Sequence, residues 1–122
     1  MQQVKIEISR QNFIDLKKSF ECGQCFRFSD NGKGFYSGMA LNKPFFAEKR
    51  DGYIEIKCPT EDENFWIEYF DLKTDYNKIN NNLLNLNDNI LNTALNFGNG
   101  IRIFRQNFFE VLISFIISQN NN

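Results

Sequence analysis

The stretch FECGQCFRF, residues 20–28, concentrates side chains that could do chemistry. Cys22 and Cys25 stand in a C-x-x-C spacing, and Cys58 is the third cysteine. Such a pair works as a redox centre when its first thiolate sits at a helix N-terminus within a βαβ unit. Here the pair runs into a strand-like segment, and no βαβ pattern surrounds it. A structural zinc site needs four ligands. Three cysteines and no histidine would leave a carboxylate to complete one. The third reading is two small buried residues beside a tight turn at Gly23. That reading leads, so no metal and no cofactor is expected. The absence of His also removes the commonest general base.

The totals narrow the class further. A chain of 122 residues fits one small domain, or one domain plus a piece of another. Hydrophobic residues at 42%, with 14 Phe, supply ample material for a core. A net charge of −1 gives no electrostatic footprint for nucleic acid. No run approaches the roughly 18 apolar residues of a membrane span, so no membrane partner is expected. The opening MQQVKIEISR lacks an apolar signal region, and a reduced cytoplasmic compartment is the expectation. Heavy use of Asn, Ile, Lys and Phe, all with AT-rich codons, points to a bacterial source.

The elements that must position the loop follow from periodicity. VKIEIS (4–9) alternates as a half-buried strand does, and NFIDLKKSF (12–20) suits a short helical turn. CFRF (25–28) alternates again and meets a turn at Asp30-Asn31-Gly32. Residues 34–50 read as two strands broken near Asn42 and Pro44, and Asp51-Gly52 marks a hairpin into 52–58. From Pro59 the character changes. Thr60 with Glu63 reads as a capping box before the helical stripe Phe65, Trp66, Tyr69 and Phe70. Shorter helical pieces cover 71–86, and Asp88 suits the cap of a further helix that Phe97-Gly98-Asn99-Gly100 ends. Asn107 begins a last helix, FFEVLISFIISQ, apolar nearly all round and therefore expected in a core. The fold class is α+β, a twisted antiparallel sheet followed by helices. Residues 1–98 form the sheet-plus-helices domain, and 99–122 open a second one. A fully apolar helix close to Asn122 suggests an N-terminal piece of something longer.

Gly23-Gln24-x-Phe26-Arg27-Phe28 resembles the Gly-Gln-x-Phe-Arg-aromatic string in the N-terminal domain of the 8-oxoguanine DNA glycosylases. GIRIFRQNFFEVLISFIISQNNN (100–122) is similar to the start of that family's helix-hairpin-helix catalytic domain. Tyr36-Ser37-Gly38 and Tyr69-Phe70-Asp71-Leu72 resemble two further landmarks at similar spacing. The resemblance covers essentially the whole chain, and its two end motifs are long and specific. It implies a TATA-binding-protein-like sheet. It also implies excision of 8-oxoguanine paired with cytosine, after the damaged base is flipped out of the stack.

The resemblance assigns roles by position. Guanine N7 is a hydrogen-bond acceptor. Oxidation at C8 puts a hydrogen there and makes it a donor, so one main-chain carbonyl can tell the two bases apart. In the family that carbonyl belongs to the glycine of the string, here Gly23. With guanine two acceptors would face each other, costing about 1–3 kcal/mol. Glycine suits close backbone approach to a ligand, although a plain turn glycine would look the same. Gln24, Phe26, Arg27 and Phe28 are expected to hold the loop rather than touch DNA, with phosphate contact by Arg27 the alternative. Asn120, first of the Asn triplet, would contact the orphaned cytosine through its amide; composition alone reads it as a polar helix end. The family's Lys nucleophile, assisting Asp and Schiff-base strand cleavage lie beyond the triplet. No catalytic residue is therefore assigned here.

The expectation is an inert fragment with weak or no DNA binding alone, whose full-length enzyme acts on damaged double-stranded DNA. Dimerisation through the apolar last helix is left open. The alternative is a stand-alone, non-catalytic binding or scaffold module. Such a module should not expose the apolar face of residues 108–117.

Overall fold

The computed structural model describes residues 2–119. Five strands, β1 (Gln3–Ser9), β2 (Phe28–Asp30), β3 (Phe35–Ala40), β4 (Lys43–Lys49) and β5 (Tyr53–Pro59), make one antiparallel sheet. Its order is β1-β5-β4-β3-β2, so a meander is closed by the N-terminal strand pairing with the last. Helix α1 (Leu16–Glu21) interrupts the strands after β1. Four more follow the sheet: α2 (Glu63–Tyr69), α3 (Tyr76–Leu84), α4 (Asn89–Gly98) and α5 (Phe108–Gln119). The architecture is α+β, as the sequence pattern implies.

Alternation puts every second side chain on one face of the sheet. Ile6 lies opposite Ile56 and Ile8 opposite Ile54. Phe45 lies opposite Gly38, and Tyr36 opposite Ala47. Helices α1 and α2 cover this face with Leu16, Phe20, Trp66 and Phe70. Phe20 is the hub, its ring 5.0 Å from Tyr36, 5.2 Å from Phe28, 5.3 Å from Phe104 and 5.6 Å from Phe45. Burying each such ring stabilises the fold by about 1.5–3 kcal/mol.

Most expected starts and stops hold, and the exceptions have local causes. Asp15, Asp75 and Asp88 cap α1, α3 and α4 through their carboxylates. Asn107 Oδ1 accepts from the Glu110 amide and starts α5. The Thr60–Glu63 capping box does not form. Thr60–Asp62 is a tight 3-10 turn without a side-chain cap, and the Thr60 amide that Glu63 would have met donates to the Gln2 carbonyl at 3.1 Å instead. Of CFRF, only Phe28 enters a strand. Pro44 does not break its strand: the β4–β5 register begins at Phe46, so no ladder amide is needed from Pro44 on that side. The largest departure is α5, which has no fully buried residue. Phe108 is 80% exposed and Phe109 68%, so the described chain does not provide the core that this helix was expected to enter.

Gly38 shows why a small residue is needed at one landmark. A Cβ there would lie 2.6 Å from the Arg27 carbonyl oxygen and 2.6 Å from the Phe45 ring. The same carbonyl accepts from the Met39 amide at 3.0 Å, so it cannot retreat without losing that bond. Gly38→Ala is therefore expected to lower unfolding free energy by about 1–3 kcal/mol through overpacking. Urea denaturation of the two chains checks this; equal midpoints would contradict it.

Candidate functional site

The Gly23 loop begins where α1 stops. Asp15 caps the helix at its start, and Cys22 ends it. Gly23 then adopts φ +90°, a conformation that L side chains rarely take. A Cβ at Gly23 would meet nothing within 4 Å, so backbone conformation rather than crowding calls for glycine. The residue is exposed. Among the described residues, no donor reaches its carbonyl oxygen.

Gln24 ties this turn to the segment 100–106 that joins α4 to α5. Its Nε2 donates to the Ser19 carbonyl at 2.8 Å and to the Arg102 carbonyl at 2.7 Å. Its Oε1 accepts from the Phe104 amide at 2.9 Å. The Gln24 carbonyl in turn accepts from Gln106 Nε2. Pairing with the carbonyl of one residue and the amide two residues on is what a parallel strand does. The Gln24 side chain thus stands in for a missing strand residue.

The joining segment is held on its other sides too. Ser19 Oγ donates to the Gly100 carbonyl and accepts from the Arg102 amide at 3.1 Å. Gly100, at φ +90°, leaves no room for a Cβ, which would lie 2.6 Å from Phe13 and 2.8 Å from Asp15. The Arg102 side chain is 1% exposed. Its guanidinium donates to the Asp71 carbonyl at 2.6 Å and the Asn12 carbonyl at 3.2 Å, and lies 4.4 Å from the Tyr76 ring centroid. Burial lowers its pKa from the ordinary arginine value, yet an arginine stays charged. The Asp71 carboxylate accepts from Thr74, Tyr76 and Arg105. Burial alone would raise its pKa, but these three hydrogen bonds outweigh burial and hold it below the usual carboxylate range.

The remaining loop residues divide by exposure. Phe28 is half-buried against Phe20, whereas Phe26 is 51% exposed. Arg27 Nη1 donates to Glu110 Oε1 at 2.8 Å and to the Leu41 carbonyl at 2.9 Å. Glu110 Oε2 accepts from the Leu41 amide, so the pair links the loop, the β3–β4 turn and α5. Cys25 is buried, and burial, followed by Cys22, pushes its thiol up to about 12. Burial likewise pushes Cys58 to about 11. Neither is a thiolate at neutral pH, so neither is a ready nucleophile or ligand. Cys22 is exposed, its Sγ donating to the Ser19 carbonyl at 3.4 Å. Among the described residues, no group of three His, Cys, Asp or Glu could hold a metal, and no helix is long and apolar enough to cross a membrane. Asn120 lies outside the described residues.

Fold and loop together define an α+β domain with an exposed positive-φ glycine turn tied through Gln24 to the segment 100–106. A family model described as the N-terminal domain of 8-oxoguanine DNA glycosylase matches residues 5–112, and the chain belongs to that family. Solved structures agree. MBOgg1, in complex with a low-affinity DNA ligand, is 35% identical with a TM-score of 0.83, covering 100% of this chain and 44% of its own. The 8-oxoguanine glycosylase/lyase of Clostridium acetobutylicum in its apo-form is 41% identical, with a TM-score of 0.82 and coverages of 100% and 42%. Its complex with duplex DNA containing cytosine opposite 8-oxoguanine gives 44%, 0.78, 92% and 38%. The chain spans less than half the length of each. No curated protein matches the sequence significantly.

Sequence reasoning missed Ser19, Gly100 and Arg102. One signal was available: Arg102 sits between Ile101 and Ile103 in a short apolar connector, an unusual place for a solvated charge. Asp71 gives the test of this network. Its stabilising contribution is fully present above its ordinary value of 3.8 and is lost as pH falls through the lowered native pKa. Asp71→Asn should cost about 1–3 kcal/mol at pH 7, because Arg105 and Tyr76 lose a charged acceptor. It should also flatten the loss of stability below about pH 4. Urea denaturation across pH checks both; parallel pH curves for the two proteins would contradict the assignment.

Proposed function

We propose that this chain is the N-terminal part of a DNA base-excision repair enzyme that removes 8-oxoguanine opposite cytosine. The observation that carries the reading is the Gly23 carbonyl: without a donor among the described residues, on an exposed positive-φ glycine whose neighbour Gln24 is held from two sides. Such an acceptor matches the N7 hydrogen that distinguishes 8-oxoguanine from guanine. Mispairing it with guanine N7 would cost about 1–3 kcal/mol, or roughly 5–150-fold in selectivity.

The whole enzyme would bind damaged double-stranded DNA in a bacterial cytoplasm. It would use a Lys amine and an Asp supplied outside these residues to form a Schiff base and cleave the strand. Residues 1–98 would be the recognition domain, and 99–122 would open the catalytic one. The exposed apolar face of α5 supports this division, since Phe108, Phe109, Phe115 and Ile117 all lie more than half exposed. That exposure also weighs against a self-contained binding module. Asn120 would meet the orphaned cytosine. Gln24, Phe26, Arg27 and Phe28 would support the loop, and the Arg27–Glu110 pair favours that role over phosphate contact.

The test joins residues 1–122 to the remainder of the Clostridium acetobutylicum glycosylase/lyase, in place of its own N-terminal part. The joined enzyme should release 8-oxoguanine opposite cytosine, while the 122-residue chain alone should release none and bind duplex DNA weakly or not at all. Release of the base by the chain alone would contradict the inertness. A folded joined protein without excision would overturn the reading.

A further inference from the structure

We propose that Gln24 is a positioning residue for lesion selectivity: its side-chain amide fixes the direction of the Gly23 carbonyl. This rests on the reading of Gly23 as the acceptor for the N7 hydrogen. The Gly23 carbonyl lies in the peptide plane between Gly23 and Gln24, so its direction depends on the torsions at either side. Glycine at φ +90° is the soft side, because it tolerates more backbone conformations than any other residue. The other side must therefore supply the stiffness.

Gln24 does so with every polar group of its side chain. One Nε2 hydrogen goes to the Ser19 carbonyl on α1, the other to the Arg102 carbonyl. Oε1 takes the Phe104 amide. The main-chain carbonyl of Gln24 takes Gln106 Nε2. Four hydrogen bonds to α1 and the joining segment thus fix one residue. None of them involves the Gly23 carbonyl, which stays free for a ligand. No shorter side chain spans both partners. Glutamate keeps the length and the acceptor for Phe104, but sets an oxygen against the Ser19 and Arg102 carbonyls where two donors are needed.

The variants Gln24→Ala and Gln24→Glu test this with two readouts. In the 122-residue chain, amide-exchange protection should fall about tenfold or more at Phe104 in both variants, while Ala47 and Ile56 in the sheet keep theirs. Protection in Gln24→Glu should recover as pH falls, because the protonated carboxyl regains a donor; Gln24→Ala should show no recovery. In the joined enzyme, the ratio of 8-oxoguanine to guanine excision should drop about tenfold. Loss confined to overall stability, with the ratio kept within about twofold, would overturn the proposal while leaving the function intact. An inactive wild-type joined enzyme would instead overturn the reading on which it rests. Unchanged protection at Phe104 would overturn the geometry directly.

Discussion

One buried cation organises the surface loop. Arg102 carries its guanidinium into the interior at 1% exposure, and a buried charge must be hydrogen-bonded to be tolerated. The carbonyls of Asp71 and Asn12 meet it, and the Tyr76 ring covers its face. These partners come from the end of α2, the turn after β1 and the start of α3. The guanidinium therefore fixes where the segment 100–106 runs. Because Gln24 reads the backbone of residues 102 and 104, the same constraint places the Gly23 turn. A chain of contacts leads from the interior to one exposed glycine turn.

The same segment sets the start of α5. Arg105 donates its amide to the Tyr69 carbonyl and its side chain to Asp71, and two residues later Asn107 caps the helix. Glu110, in the first turn, then meets Arg27 and Leu41. The first turn of α5 is thus oriented by polar contacts, while its apolar side chains are left facing outward. Polar contacts set the direction of the helix, and its rings at Phe108, Phe109 and Phe115 stay exposed.

Strands and helices with strong periodicity were legible from sequence: VKIEIS, the Asp51-Gly52 hairpin, and helices capped by Asp88 and Asn107. Local pattern failed where a tertiary partner took the capping group. The Thr60 amide pairs with the Gln2 carbonyl, so the expected capping box gives way to a 3-10 turn. The strand-like CFRF gives way to a loop because Cys25 is drawn into the core while the Arg27 side chain is drawn toward Glu110. The site was half legible. The Gly23 string stood out as a motif, but apart from Ser19 the residues that hold it lie about 80 positions downstream, and nothing in a local window links Gln24 with Phe104. The cysteines, conspicuous by spacing, proved to be a buried high-pKa thiol and an exposed helix end.

The central claim is that the Gly23 carbonyl reads the N7 hydrogen of 8-oxoguanine. The most direct measurement is a crystal structure of the joined enzyme, catalytically disabled, bound to duplex DNA with 8-oxoguanine opposite cytosine. The account predicts the flipped base with N7 about 2.7–3.2 Å from the Gly23 oxygen, and Gln24 still bonded to Arg102 and Phe104. A flipped base whose N7 is met by another group, with the Gly23 carbonyl turned away, would contradict it.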